Sequence, residues 1–166
     1  MLRAGEIKST RLPLTAIEAP YMLAALARWR AAAGEGMLPS EHAIKPLELA
    51  EAAGYTGLID VLRGPLDFRF RYFGSRMAAA IGADYTGRRV SELEPLQYIG
   101  LLMEGYVSAA NGREPVLHHL AMHLDTQRQW SYQRLLLPLS HSGGGDTDTI
   151  WAVTHYGSET AGKPAL

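Results

Sequence analysis

Apolar positions recur along this chain at two spacings, three to four residues apart in some stretches and two apart in others. Met1 to Thr10 is polar and is expected to be loosely held. From Ile17 to Ala33 the spacing is helical, with Met22, Leu26 and Trp29 on one stripe and Arg28 and Arg30 beside it. Thr15 and Glu18 stand at capping-box spacing, Pro20 falls in the first turns, and Gly34 and Gly36 mark the end. The stripe has two readings, a flanking helix packed on its own domain or a dimerisation helix. A short helix is expected from Pro46 to Ala53, stopped by Gly54.

The period then changes to two. Gly57 to Leu62 reads as a strand, Arg63-Gly64-Pro65 as a turn, and Phe68, Phe70 and Tyr72 alternate with Arg69 and Arg71 as a second, half-buried strand. Short helical pieces follow at Ser75–Ile81 and Val90–Leu93, with Tyr85–Arg88 as a turn between them. A longer helix from Leu96 to Ala110 ends at Asn111-Gly112. Three strands close the chain: Glu114–Leu124, Trp130–Leu139 and Thr149–Tyr156. The run Leu135-Leu136-Leu137 predicts burial on both faces, and Ser142–Asp146 makes a loop. Strands grouped around a helical insert, without strand–helix alternation, predict an α+β fold with an antiparallel sheet and helices on one face.

Several local signatures stand in a fixed order: Leu38-Pro39-Ser40 with Ile44-Lys45-Pro46, Asp67 to Ser75, Gly82 to Arg88, Gly112 to Val116, and Leu135 to Ser140. Each also has a scaffold role, such as Phe73-Gly74-Ser75 turning a strand into a helix with a serine oxygen as cap. In this order they resemble the PAS domain superfamily, and within it a proteobacterial subfamily of small single-PAS-domain proteins. The resemblance covers residues 38–156. It implies a five-stranded antiparallel sheet in spatial order 2-1-5-4-3, helical pieces enclosing a small cavity on one face, and a flanking helix outside. The expected organisation is an N-terminal tail and amphipathic helix at 1–37, a PAS-like domain at 38–156 and a disordered tail at 157–166. Such domains are sensory or regulatory modules, acting through small-ligand binding, protein association or both.

Composition narrows this picture. With 47% hydrophobic residues the 166-residue chain can form a core, and a formal net charge of −1 without a basic block argues against a nucleic-acid or membrane binder. No span of apolar residues is long enough to cross a membrane, and Met1–Thr10 lacks a signal-peptide pattern, so a soluble cytoplasmic protein is expected. The chain has no cysteine. The resemblance implies cysteine-dependent chemistry for flavin photosensors and the yellow-chromophore type, so cysteinyl flavin and cysteine-linked chromophores are excluded. Heme is disfavoured because Leu96–Asn111 carries no histidine. The cofactor is otherwise unknown, and a non-covalent flavin or other small apolar ligand stays open.

Candidate cavity residues follow from strand and helix parity: Phe70, Tyr72, His118, Leu120 and Met122 from strands, and Met77, Ile81, Met103 and Tyr106 from helices. The alternative is that they fill the core, methionine taking up gaps. Candidate dimer-interface residues are Met22, Leu26, Trp29, Arg69 and Arg71, the arginines lying on the opposite sheet face. The six histidines suggest no metal site, because His119 and His123 lie about 13 Å apart in an extended strand and His118 and His119 face opposite ways. A catalytic reading, an isomerase or hydrolase of cone-type α+β fold, would need a pair such as His123 with Asp125 or Tyr132 with His118. No nucleophile or phosphate-binding motif supports it. The expected protein is a non-catalytic module, a homodimer with an unidentified protein partner and a small-molecule ligand. A pure interaction domain without ligand is the alternative.

Overall fold

The computed structural model describes residues 6–93, 96–123 and 129–157. Its strands are β1 (Ile7–Leu12), β2 (Thr56–Leu62), β3 (Asp67–Phe73), β4 (Val116–His123), β5 (Gln129–Leu139) and β6 (Thr149–Tyr156). Its helices are α1 (Pro20–Ala32), α2 (Glu41–Ile44), α3 (Ala50–Ala53), α4 (Ser75–Ile81) and α5 (Leu96–Gly112). The strands form one antiparallel sheet in the order β1-β4-β5-β6-β2-β3. Without β1 this is the expected 2-1-5-4-3 order. Leu124 and residues 158–166, most of the expected tail, lie outside the described residues.

Over Ile7–Thr10 the additional strand corrects the expectation of a loose N-terminus, while residues 1–5 lie outside the described residues. β1 pairs with β4 from Ile7↔Met122 to Leu12↔Leu117. Its two apolar residues sit on opposite faces, Ile7 against the core under α5 and Leu12 against the core under α1. Neither face of the segment therefore shows a period of two. Between them lie Lys8 and Arg11, charges of the kind that guard a sheet edge against pairing with another chain.

Alternate residues of β5 and β6 feed two cores. Tyr132, Leu136, Ile150 and Ala152 face one side with α4 and α5, while Leu135, Leu137, Trp151 and Val153 face the other with α1. Helices therefore cover both faces, which is why the Leu135–Leu137 run has no polar phase. Burying such a side chain is worth about 1.5–3 kcal/mol, so the central strands are anchored from both sides.

α1 starts later than its sequence pattern implies. Pro20 is its first residue and Ala19 its cap, without a side-chain hydrogen bond, while Thr15 lies in a 3-10 turn at Leu14–Ala16. The expected capping box does not form. The Glu18 amide instead donates to Gln133 Oε1, and Gln133 Nε2 donates to the Ala16 carbonyl. These bonds and Trp29 Nε1 donating to the Pro138 carbonyl at 2.8 Å fasten the helix along β5. Met22 (0% exposed) and Leu26 are buried against the chain's own sheet, and Trp29 packs beside them. The stripe offered as a dimer face is thus used within the protomer. The outward position on α1 is Leu23, 49% exposed.

Arg69 and Arg71 do lie on the outer face, and both are engaged. Arg71 reaches Asp60 at 2.8 Å and Glu41 at 2.7 Å, and Arg69 reaches Asp60 at 3.3 Å, so Arg71 ties α2 to the β2–β3 hairpin. A β-bulge accompanies this network. Leu58 pairs with Tyr72 but Ile59 with Phe70, leaving Arg71 as the extra residue. The strand's phase slips there, turning Tyr72 to the outer core and Phe73 to the inner one.

At the end of β3, Gly74 is required by close approach and not by its dihedral angles, since φ is −60°. A Cβ there would collide with the backbone of Gly54 and Thr56. The expected serine cap is absent, and the Gly54 carbonyl takes the Arg76 amide at 2.8 Å instead.

An inward stripe on α1 has a measurable consequence. In urea unfolding Met22→Ala is expected to lose about 2–5 kcal/mol, while Leu23→Ala stays within about 0.5 kcal/mol. A Met22→Ala variant that keeps its stability but changes its mass by light scattering would contradict the placement of the stripe.

Candidate ligand-binding site

The inner face of the sheet, α4 and α5 border a partly open cavity of about 30 Å³. That is room for about two water-sized atoms. Its apolar side is Phe70, Phe73, Met77, Ile81 and Leu102, and its sheet side includes Tyr132, Arg134, Thr154 and Tyr156. Tyr85, Tyr98, Tyr106 and Ala152 complete the lining. Aromatic edges set its shape: Phe70 meets Phe73 edge-on with centroids 5.2 Å apart, and Trp130, Tyr132 and Tyr156 form a cluster on the sheet.

Arg134 is the outlier in this wall. It is 2% exposed, and its Nε, Nη1 and Nη2 find no hydrogen-bond acceptor among the described residues. α5 makes room for it at Gly105, where a Cβ would overlap Arg134 Nη2. The next residue, Tyr106, offers its ring face to the guanidinium, 4.9 Å from Cζ to the centroid. That contact returns about 0.5–2 kcal/mol, against a desolvation cost of several kcal/mol for a buried ion. Arginine cannot escape the cost by losing its proton. The balance leaves the group under-compensated.

Among the described residues that line the cavity, no side chain supplies negative charge. Burial pushes the phenols of Tyr98, Tyr132 and Tyr156 above their ordinary range and that of Tyr106 up to about 12, despite the pull of Arg134 on Tyr106. All four are neutral near pH 7, and the Tyr98 and Tyr132 hydroxyls bond to each other. His118, beside Arg134 in the β4–β5 register, is held down to about 4, first by burial and then by Arg134 and Arg11. Its Nδ1 is also buried without a partner. The site therefore combines a fixed positive charge, neutral hydroxyls and an apolar far wall. Such an arrangement can bind and orient a small molecule.

Of the cavity residues expected from sequence, Phe70, Met77, Ile81 and Tyr106 line it. Leu120 and Met122 are buried in the same core away from the cavity, Met103 is half-buried and packed against that core, and His118 sits beside Arg134. Tyr72 is the correction, because the bulge at Arg71 turns it outward, where its hydroxyl donates to the Ala53 carbonyl. Sequence reasoning missed Arg134. Its signal was a charged residue in phase with Tyr132 and Leu136 in an otherwise apolar strand.

Of the two imagined catalytic pairs, Tyr132 does not pair with His118, its hydroxyl bonding to Tyr98 instead, and Asp125 of the other lies outside the described residues. Among the described residues no group of three or more His, Asp or Glu could hold a metal ion, and no helix is long and apolar enough to cross a membrane.

The depressed His118 gives a pH signature. Its folded pKa lies below the ordinary value of about 6.5, so the unfolded chain takes up the proton first as pH falls. Its contribution to stability is unperturbed above about 6.5 and declines progressively towards pH 4. NMR titration of the imidazole is expected to give a value near 4, rising towards the ordinary one in Arg134→Met. An unchanged value in that variant would show that the arginine does not act on this ring.

The PAS domain profile matches residues 18–152, from just before α1 into β6, with β1 ahead of the matched span. No curated protein and no solved structure matches the chain. With the profile spanning most of the sequence and the sheet in the order described, the chain belongs to the PAS domain family.

Proposed function

We propose that this chain is a non-catalytic sensory or regulatory module of the cytoplasm that takes a small molecule into the cavity between α5 and the sheet. PAS domains are sensory or regulatory modules in general, and the observation that carries the finer reading is the under-compensated Arg134 facing that cavity. A core that only packs would place an apolar side chain there, since replacing buried ions by apolar residues is often neutral or stabilising.

The output passes through association with a second copy of the chain or with a partner protein. β5 provides the physical link. Arg134 points into the cavity, while Gln133 on the other face holds the entry to α1 through Ala16 and Glu18. A shift of β5 on ligand binding changes contacts on both faces, and a ligand can bias the outer layer only by its differential affinity for the two arrangements.

Native mass spectrometry of the freshly purified full chain tests the reading. The expected result is a non-covalent adduct of small-molecule mass that disappears under denaturing conditions. A bare-chain mass that also stays bare after incubation with a metabolite extract would favour a pure interaction domain.

A further inference from the structure

The chemistry of the cavity goes beyond the presence of a ligand. The charge facing it is single and positive, that of the Arg134 guanidinium. Its three nitrogens present a planar fork of donors without acceptors among the described residues. A planar carboxylate matches that fork with two parallel bonds. The cavity has space for about two oxygen-sized atoms, which is the head group of such a ligand. A phosphate monoester carries about −1.5 to −2 charges near neutral pH and would leave excess negative charge buried among neutral phenols. A monocarboxylate cancels the single charge.

The rest of the lining describes the remainder of the ligand. Phe70, Phe73, Met77 and Ile81 form an apolar wall away from Arg134's strand; the phenol of Tyr85 packs beside Phe70 and Phe73, and the wall offers no charged partner. Met77 is unbranched and can re-pack to admit a few carbons. A dicarboxylate or an amino acid would bury a charge or an ammonium against this wall at high cost.

We propose that the ligand is a small monocarboxylate, its oxygens accepting from the Arg134 guanidinium and its short apolar tail lying against Phe70, Phe73, Met77 and Ile81. This rests on the ligand-binding reading above and specifies it.

Calorimetric titration of the full chain, prepared without carboxylate buffers, tests the proposal. The probes are acetate, propionate, butyrate and benzoate, each beside its neutral amide, with chloride and inorganic phosphate at matched ionic strength. The expected result is binding of at least one acid with its amide about 10- to 100-fold weaker, and loss of that binding in Arg134→Met. The acid–amide contrast is read on the unaltered chain, so it holds even where the variant does not fold. Equal binding of an acid and its amide overturns the anionic head group while leaving a ligand-binding module intact. Chloride or phosphate binding as tightly as the best acid overturns the carboxylate assignment. No binding of any acid also overturns it, and the adduct mass in native spectrometry then decides the broader reading separately.

Discussion

A positive charge placed inside a domain without a counter-ion among the described residues is the constraint around which this fold is arranged. Arg134 sits in the middle of a central strand, and the helix opposite it has a glycine where any side chain would strike the guanidinium. Tyr106 turns its ring face to the charge, the surrounding phenols stay protonated, and His118 stays neutral. Each accommodates the cation and none cancels it. An apolar residue at 134 would be the simpler solution for packing alone, so the arginine is best understood through what it can hold.

The same strand makes the cavity relevant to the outside. In β5 successive residues serve opposite layers: Tyr132, Arg134 and Leu136 the α5 side, Gln133, Leu135 and Leu137 the α1 side. Because β5 is buried on both faces, a displacement on one is felt on the other. Bonds from Gln133 and to Pro138 place polar, directional contacts along the β5–α1 seam. These are geometrically more selective than apolar packing and give the outer layer a reason to respond to small shifts.

Much of this architecture is legible in the sequence, because period and punctuation agree in most segments. The hairpin, the long helix and the three closing strands follow from alternation bounded by Gly, Pro and Asn, and the doubly buried Leu135–Leu137 run is visible as a loss of polar phase. What escapes does so for local reasons. β1 carries only Ile7 and Leu12 as apolar residues, one for each core, so no face shows a period. Tyr72 is misplaced because parity assumes an unbroken ladder and the bulge at Arg71 shifts it. Whether α1's stripe faces its own sheet or another chain depends on what lies across from it, which amphipathicity does not encode. The cavity and part of its lining, Phe70, Met77, Ile81 and Tyr106, are legible, while Arg134 could have been found by asking why a charge keeps the phase of the core.

The central claim concerns what meets the Arg134 guanidinium, and a high-resolution crystal structure of the full chain, purified without carboxylate buffers, tests it most directly. The expected result is a planar carboxylate seated on the guanidinium, with its tail toward Phe70 and Phe73. An Arg134 paired with a carboxylate of the protein itself, or turned out to solvent with the cavity filled by apolar side chains, would contradict it.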